Sequence, residues 1–377
     1  MFDKGIHLFT LFGFEVRLNW TWLILAVLIT WSLATGFFPA YSPDMQTSTY
    51  WWMGVVGTIG LFFSIVFHEL SHSLVARRYG IPMHGITLFV FGGMAQMHQE
   101  PHNPKSEILM SLAGPIASIV IGLMFLGVNY IGGQALGQTA VGVVIGYLGI
   151  INLILAAFNL IPAFPLDGGR ILRSVLWARG KDLRRATRIS SRIGSGFGIF
   201  LIVMGVLDFI GGNFIGGVWL ALIGMFLRSI SKNSYQQLLM RKALEGEPIK
   251  RFMKTDPVTV EPSITLEDLV ENYIYRYHHK LYPVTRNGEL LGCVSLPQVK
   301  QFSREQWEKH TVDDVVRKCD ENNTVDENTD SVRIMSRMRK NGNSRMIVTK
   351  NGQLAGVITL KDLLEFLSLK VDLEEVA

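Results

Sequence analysis

Two histidines and a glutamate lie together at residues 68–72, where the chain reads His-Glu-Leu-Ser-His. On a helix, this spacing puts the imidazoles of His68 and His72 one turn apart on the same face, as a zinc ion requires. The carboxylate of Glu69, beside them, is suited to taking a proton from water. The preceding residues 51–67 carry no charge, and ionisable groups in such a run are costly to bury unless they face a partner, a cavity or a metal. The motif therefore predicts a metal site inside a membrane.

Two imidazoles leave a catalytic zinc short of a third protein ligand. The best candidate is Asp167, in the segment Asn-Leu-Ile-Pro-Ala-Phe-Pro-Leu-Asp-Gly-Gly-Arg at 159–170. Pro162 and Pro165 interrupt the helix there, and the two glycines after Asp167 loosen the backbone, so the carboxylate can turn inward. Other acids near the apolar part fall in interfacial loops or at the ends of spans, namely Asp44, Glu100 and Glu107.

Apolar runs are the elements that must position these residues. Six runs of about 18 residues or more can be drawn, which is the length that crosses a bilayer. They cover residues 20–38, 50–76, 108–131, 140–161, 193–210 and 214–227. The composition is 49% hydrophobic and 18% charged, but charges become dense only after about residue 230. We therefore predict a polytopic α-helical membrane domain followed by a soluble α/β part.

The charges of the loops predict the orientation. The loops at 39–49, 132–139 and 211–213 contain no lysine or arginine, whereas the intervening loops and both flanks do. Because basic loops stay on the cytoplasmic side, both termini and the soluble part are predicted to be cytoplasmic. At the helical rise per residue, His68 then lies about 13 Å inside the cytoplasmic interface, counted back from Arg77.

Two further features of the apolar half are structural. Residues 85–97 are apolar but too short to span, and their β-branched and aromatic side chains predict a β-hairpin with its turn at Gly92-Gly93. Such a hairpin is tolerated at membrane depth only where protein or a cavity surrounds it. Gly114, Ser118 and Gly122 recur at every fourth position, which indicates close helix packing and no chemistry.

The charged half contains an internal repeat. Residues 284–292 return in similar form at 348–356, each copy being a strand, an Asn-Gly turn and a second strand. The predicted domains are a membrane domain at 1–230, a linker helix at 231–247, a first repeat at 248–308 and a second repeat at 309–377. Cys293 and Cys319 have neither metal spacing nor a disulfide framework, so a reducing compartment is expected.

The two metal motifs resemble those of the site-2 protease family of intramembrane zinc metalloproteases, in the same order and spacing. The short elements Phe91-Gly92-Gly93 and Ala113-Gly114-Pro115 are also similar, and the resemblance covers residues 10–230. It implies one zinc ion per chain, bound by His68, His72 and Asp167. It also implies that Glu69 is the general base, passing a proton from the attacking water to the leaving amine, and that Asn159 positions the substrate. By the same resemblance, the edge of the hairpin at 86–97 pairs with an unwound substrate strand.

The repeat resembles a tandem CBS pair, a module whose family binds adenine nucleotides in the cleft between repeats. The second copy ends Gly-Val-Ile-Thr-Leu-Lys-Asp, so the resemblance implies that Thr359 and Asp362 contact phosphate and ribose. The first copy has Ser295 where that threonine stands and Gln298 where the aspartate stands. The expected ligand is ATP, ADP or AMP, and the first of the two sites departs from the pattern.

The function predicted from these observations is an intramembrane zinc endopeptidase of the cell membrane, regulated by adenine nucleotide at the CBS pair. Its expected partners are a single-span membrane protein or pro-protein as substrate, membrane lipid, and a second copy of the chain through the CBS domains. The net charge of +5 lies beside apolar segments and does not indicate nucleic-acid binding. A CBS-regulated transporter or channel and a catalytically inactive membrane scaffold remain as alternatives. A transporter would place polar groups along a through-path, often with inverted repeats, which the sequence does not show.

Overall fold

The computed structural model describes residues 5–81, 83–89, 92–97, 101, 103–137 and 139–375. The chain forms two compact units, Met1–Gln236 and Gln237–Ala377. The division falls inside the segment predicted as a linker helix at 231–247. Each unit has its own architecture.

Long apolar helices make up most of the first unit. Among the described residues, six helical segments are long and apolar enough to cross a membrane, as the sequence predicts: Trp20–Tyr41, Thr47–Arg78, Pro104–Gly133, Ala140–Asn159, Leu183–Ile210 and Phe214–Leu244. Side chains such as Tyr130 (87% exposed), Ile131 (85%) and Ile215 (73%) cover their outer faces. Apolar exposure on this scale suits contact with lipid and not with water.

The helices of this unit follow the chain in order. The first span comprises α1 (Trp20–Ser32), a π-helical turn (Leu33–Phe37) and α2 (Phe38–Tyr41). The others are α3 (Thr47–Arg78), α4 (Pro104–Gly137, with non-helical geometry at Gly133), α5 (Ala140–Asn159), the shorter α6 (Asp167–Gly180), α7 (Leu183–Ile210) and α8 (Phe214–Leu244). The sixth run, predicted at 214–227, therefore belongs to a much longer helix.

A four-stranded sheet packs against α3. Its strands are β1 (Ile6–Leu11), β2 (Phe14–Leu18), β3 (Met83–Phe89) and β4 (Gly92–Met97), in the order β1-β2-β3-β4. Strands β2 and β3 are parallel and the other pairs antiparallel. The predicted hairpin is present, but Gly92 and Gly93 lie in β4 and do not form the turn; residues 90 and 91 between the strands lie outside the described residues. Buried side chains of β2, β3 and α3 form the core beneath the sheet, including Val16, Ile86 and Val66.

The second unit contains two three-stranded sheets. One sheet comprises β5 (Leu281–Arg286), β6 (Glu289–Ser295) and β7 (Arg317–Lys318); the other comprises β8 (Thr324–Asp326), β9 (Arg345–Lys350) and β10 (Gln353–Thr359). Their helices are α9 (Leu266–Asp268), continued by a π-helical segment (Leu269–Ile274) and α10 (Tyr275–Tyr277), then α11 (Leu296–Val299), α12 (Ser331–Asn341) and α13 (Leu360–Glu375). Asn287 and Asn351 have φ of 52° and 51°, as Asn-Gly hairpin turns require.

The two repeats exchange their ends. Leu244 precedes the first repeat and Ile249 lies at its start, but both are buried in the core of the second, with Ile334 and Met346. Lys254 also exchanges both backbone hydrogen bonds with Val357, at 2.9 and 3.0 Å. Val312, at the start of the second repeat, is in turn buried in the core of the first, so each repeat completes its hydrophobic core with a residue from beyond its own length.

Candidate metal centre

Helix α3 carries the two histidines on its buried face. His68 is 3% exposed and His72 is 8% exposed, and their Nε2 atoms lie 3.1 Å apart. Residues four apart on a helix stack on the same side, which is why the local sequence alone places these nitrogens together.

Asp167 reaches the same point from the beginning of α6. Its Oδ2 lies 3.2 Å from the Nε2 atoms of both His68 and His72. The loop before it folds tightly on itself, because a Cβ at Gly168 would lie 2.1 Å from the backbone oxygen of Leu160. The side chain of Asp167 thus presents a carboxylate oxygen to two imidazole nitrogens.

Hydrogen bonds to the far side of each ring determine which nitrogen faces inward. The Nδ1 of His72 donates to the backbone oxygen of Met110 at 2.7 Å, and the Nδ1 of His68 lies 2.9 Å from the Oγ of Ser118. Because a carbonyl oxygen only accepts, His72 carries its proton on Nδ1 and its Nε2 presents a lone pair. Met110 and Ser118 thus orient the ligands, as outer partners of metal-binding histidines do.

The converging atoms fit a divalent cation. Ligand atoms of His68, His72 and Asp167 all lie within 4.8 Å of one another. Lone pairs of nitrogen and carboxylate oxygen that face one another repel unless a proton or a cation lies between them. Two imidazoles and one carboxylate form a ligand set that zinc takes in catalytic sites.

Gly114 leaves the space beside this group open. A Cβ at this position would lie 2.2 Å from the Nε2 of His72 and 2.7 Å from the Nε2 of His68. Gly114 and Ser118, predicted to serve helix packing alone, therefore both contribute to the centre. A stripe of small residues at every fourth position has the same sequence pattern in either role, so the sequence contains no signal that separates them.

Glu69 and Asn159 lie outside this ligand group. Glu69 is half-buried on α3, and within the part of the chain that the structure describes its carboxylate has no hydrogen-bond or ion-pair partner. Asn159 is the last residue of α5, and its Nδ2 donates to the backbone oxygen of Leu155 at 2.9 Å. The structure thus leaves the predicted base available and bonds the predicted positioning residue to its own helix.

The predicted nucleotide-binding residues of the second unit cap helices. Asp362 Oδ2 accepts from the backbone nitrogen of Thr359 at 2.9 Å and from its hydroxyl at 2.7 Å, while the Asp362 nitrogen donates back to Thr359 Oγ1. Ser295 forms the equivalent reciprocal pair with Gln298, so the sequence difference between the repeats preserves the cap.

Cationic groups from both repeats lie near His279. Burial lowers the pKa of this imidazole, and the charges of Lys254, Arg345 and His278 lower it further. Such a cluster favours an anion.

Comparison with known proteins identifies the family. The family model for Peptidase family M50 matches residues 56–141 and 126–201. The zinc metalloprotease MJ0392 of Methanocaldococcus jannaschii is 30% identical over 376 residues, covering 97% of each chain. The chain belongs to peptidase family M50. Rip3 of Mycobacterium tuberculosis is 32% identical to this M50 peptidase over 360 residues, which is 93% of this chain and 89% of Rip3.

Further similarities involve the CBS domains and a solved structure. The CBS domain model matches residues 249–302 and 312–369 of the M50 peptidase. Among solved structures, the site-2 protease from Methanocaldococcus jannaschii has a TM-score of 0.44 and 30% sequence identity, covering 61% of this chain and 94% of that chain. The protein is thus a multi-pass membrane metalloendopeptidase, a zinc protease of the site-2 type with CBS domains.

Proposed function

We propose that this M50 peptidase cleaves a single-span membrane protein or pro-protein within the membrane, near its cytoplasmic side. The observation that carries the proposal is the convergence of ligand atoms of His68, His72 and Asp167 within 4.8 Å, beside the acid Glu69, which has no ion-pair partner among the described residues, on a membrane-length helix. A metal site inside the membrane would not be needed if the substrates were only soluble proteins. Cleavage near the cytoplasmic face would release a fragment to the cytosol.

In this proposal His68, His72 and Asp167 hold the zinc ion, and Met110 and Ser118 keep the two rings in the ligating orientation. Bound zinc would polarise the scissile carbonyl and make water nucleophilic near neutral pH. Glu69, one residue from a ligand, takes the proton from the attacking water and gives it to the leaving amine.

The substrate is positioned by backbone as well as by side chains. Strand β4 is at the end of the strand order, so one of its edges can pair with an added strand. A peptide bond inside a helix is shielded by its own hydrogen bonds, and pairing with this edge would hold the unwound segment extended. Asn159 takes the role of orienting the substrate backbone by exchanging its bond to Leu155 for one to the substrate.

The orientation proposed for the chain follows from its charges. Both termini and the CBS pair lie in the cytoplasm, because lysine and arginine occupy alternate loops. Cysteines introduced singly into the loops at 39–49 and 132–139 should react with an impermeant maleimide applied to intact cells. One introduced near residue 181 should react only after the membrane is permeabilised, and the reverse pattern would invert the topology.

We further propose that an adenine nucleotide binds the CBS pair and changes the cleavage rate. Support comes from the cations around His279 and from Thr359, Asp362 and Ser295 at equivalent ends of the two repeats. The test is the melting temperature and cleavage rate of the full chain with ATP, ADP and AMP, compared with Arg345→Gln. If all three nucleotides leave both quantities unchanged, the proposed regulation is wrong.

Glu69→Gln tests the proteolytic function. The substitution preserves size but removes the base, so we expect cleavage to fall at least about 100-fold while the zinc content stays at that of the wild type. Co-expression with tagged single-span proteins, scored for fragments that disappear in Glu69→Gln, reports the activity. A transporter or a scaffold would behave the same with either residue, and fragments that persist in Glu69→Gln would refute the assigned role.

A further inference from the structure

A buried ion pair joins α4 to α6 near the metal centre. Glu107 is fully buried and Arg173 is 4% exposed. The Nε of Arg173 donates to Glu107 Oε1 at 2.8 Å, and a second guanidinium nitrogen donates to the same oxygen. The other carboxylate oxygen accepts from the hydroxyl of Ser174, also fully buried, at 2.5 Å. Glu107, which the sequence places only at the end of a span, is therefore held by three donors from α6.

This cluster lies on the faces of α4 and α6 that also meet the two histidines of α3. Seven residues make about two turns. Ser174 is seven residues after Asp167 on α6, and Gly114 is seven residues after Glu107 on α4. The members of each pair therefore share a face two turns apart. Helices α4 and α6 meet at the ion pair, and each also reaches the histidines of α3, through Gly114 and Asp167 respectively.

Among the residues that the structure describes, no side-chain cap holds the first residue of α6 in place. Leu166, at its N-cap, offers no side-chain hydrogen bond, and the Asp167 carboxylate turns to the imidazoles instead of capping the helix. With 14 residues, α6 is not among the membrane-length helices. Its rotation about its own axis determines where Asp167 points. The guanidinium of Arg173 also lies 5.4 Å from the Phe164 ring, which ties the preceding loop to the same group.

We propose that Glu107, Arg173 and Ser174 are positioning residues that hold Asp167 against the two histidines and so set the metal affinity of the centre. The inference rests on the proposed zinc-binding role of Asp167. Two guanidinium nitrogens and one hydroxyl of α6 donate to a single buried carboxylate of α4. Only one register of α6 against α4 allows all three hydrogen bonds, because any other register would leave the charges unpaired in an apolar interior. All three residues lie outside the ligand set and act on it through the position of α6.

Ser174→Ala is the direct test, because it removes one hydrogen bond and leaves the ion pair. The purified full-length protein would be loaded with zinc and challenged with a chelator, and the Co²⁺-substituted protein would be examined by visible absorption. Groups bonded directly to a ligand typically change metal affinity by about 10–100-fold; because Ser174 acts through Glu107 and the position of α6, we expect a smaller but measurable loss of affinity with an altered Co²⁺ spectrum. Ser190→Ala is the matched control, since Ser190 is fully buried on α7 and its hydroxyl has no hydrogen-bond partner among the described residues.

Coupling to Asp167 separates positioning from a general loss of stability. In an Asp167→Asn background, Ser174→Ala should change the remaining metal affinity little, because its effect passes through that carboxylate. Equal losses in the wild-type and Asp167→Asn backgrounds, or equal losses in Ser174→Ala and Ser190→Ala, would overturn the inference. The inference would also be overturned if Ser174→Ala kept the metal affinity and Co²⁺ spectrum of the wild type, or if Glu107→Gln kept the metal affinity of the wild type.

The same measurements distinguish this inference from the proposed function. Zinc that binds stoichiometrically and is lost in Asp167→Asn, but not in Ser174→Ala, would refute only the positioning role. If the wild type holds no stoichiometric zinc, or if Asp167→Asn holds it as well as the wild type does, both proposals are wrong.

Discussion

Adding one methyl group at Gly114 should disable the metal centre. The Cβ of Gly114→Ala would lie 2.2 Å from His72 Nε2, 2.6 Å from His72 Cε1 and 2.7 Å from His68 Nε2. Carbon atoms in comfortable contact lie about 3.5–4.0 Å from their neighbours, so the His72 ring must retreat by roughly 1 Å. That movement also strains its 2.7 Å hydrogen bond to Met110.

A displacement of this size has a predictable consequence. Misplacing a catalytic group by about 1 Å costs on the order of 100-fold in rate, and we expect at least that loss together with a reduced zinc content. Overpacking of a buried site costs typically about 1–3 kcal/mol, which the better helix propensity of alanine, about 0.8–1.0 kcal/mol relative to glycine, partly offsets. Loss of activity with only a small change in melting temperature is therefore the expected signature.

Gly127→Ala provides the matched control on the same helix. No heavy atom would lie within 4 Å of its added Cβ, so the gain in helix propensity comes without a clash. The assay compares zinc by elemental analysis and fragment release from a tagged single-span substrate, in wild type and both variants. If Gly114→Ala retained wild-type zinc and rate, or if Gly127→Ala lost as much, the inferred closeness of Gly114 to the ligands would be wrong.

Three predictions concern the second unit. At neutral pH a maleimide should label the exposed Cys319 but not the buried Cys293, and labelling of Cys293 in the folded protein would contradict its burial. Burial raises the pKa of the Cys293 thiol to about 11, whereas the thiol of the unfolded chain ionises nearer 9.0. The free energy of unfolding should therefore fall as the pH rises from 9.0 towards 11. Ile334→Ala, at a fully buried position, should lower the free energy of unfolding by about 2–5 kcal/mol, measured by heat or urea. The control Ser336→Ala, at an exposed position on the same helix, should change it by no more than about 0.5 kcal/mol. Equal effects of the two substitutions would argue against the assigned core. Thr359→Ala should cost about 1 kcal/mol without any nucleotide present, because it removes the cap of α13, and unchanged stability of the nucleotide-free protein would show that the cap contributes nothing.

Features that depend on neighbours along the chain are predictable from this sequence. The imidazoles of His68 and His72 share a face because helical periodicity places residues four apart together. Asn287 and Asn351 adopt positive φ because a short Asn-Gly hairpin requires it. Six spans follow from apolar runs of bilayer length, since a membrane interior accepts hydrogen-bonded helices and little else.

Features that depend on partners distant in the sequence are harder to predict from the sequence. Strands β1 and β2 are short and partly exposed, so their pattern before the first span does not show that β2 pairs with β3. Leu244 and Ile249 are buried in the core of the second repeat, and their sequence position does not predict this. An apolar residue looks the same in the sequence whether it packs in one core or in the other.

The metal centre shows where this boundary lies. Sequence alone determined that two imidazoles and a neighbouring acid share one turn of a membrane helix, because the backbone geometry of a helix permits no other arrangement of that spacing. Only the tertiary structure decided that Asp167, a candidate from the sequence, lies 3.2 Å from both imidazoles, that Gly114 leaves space beside them, and that Glu107 meets Arg173. Hydropathy and helical periodicity specify which face of a helix is buried, but the packing of side chains from separate helices specifies what that face meets.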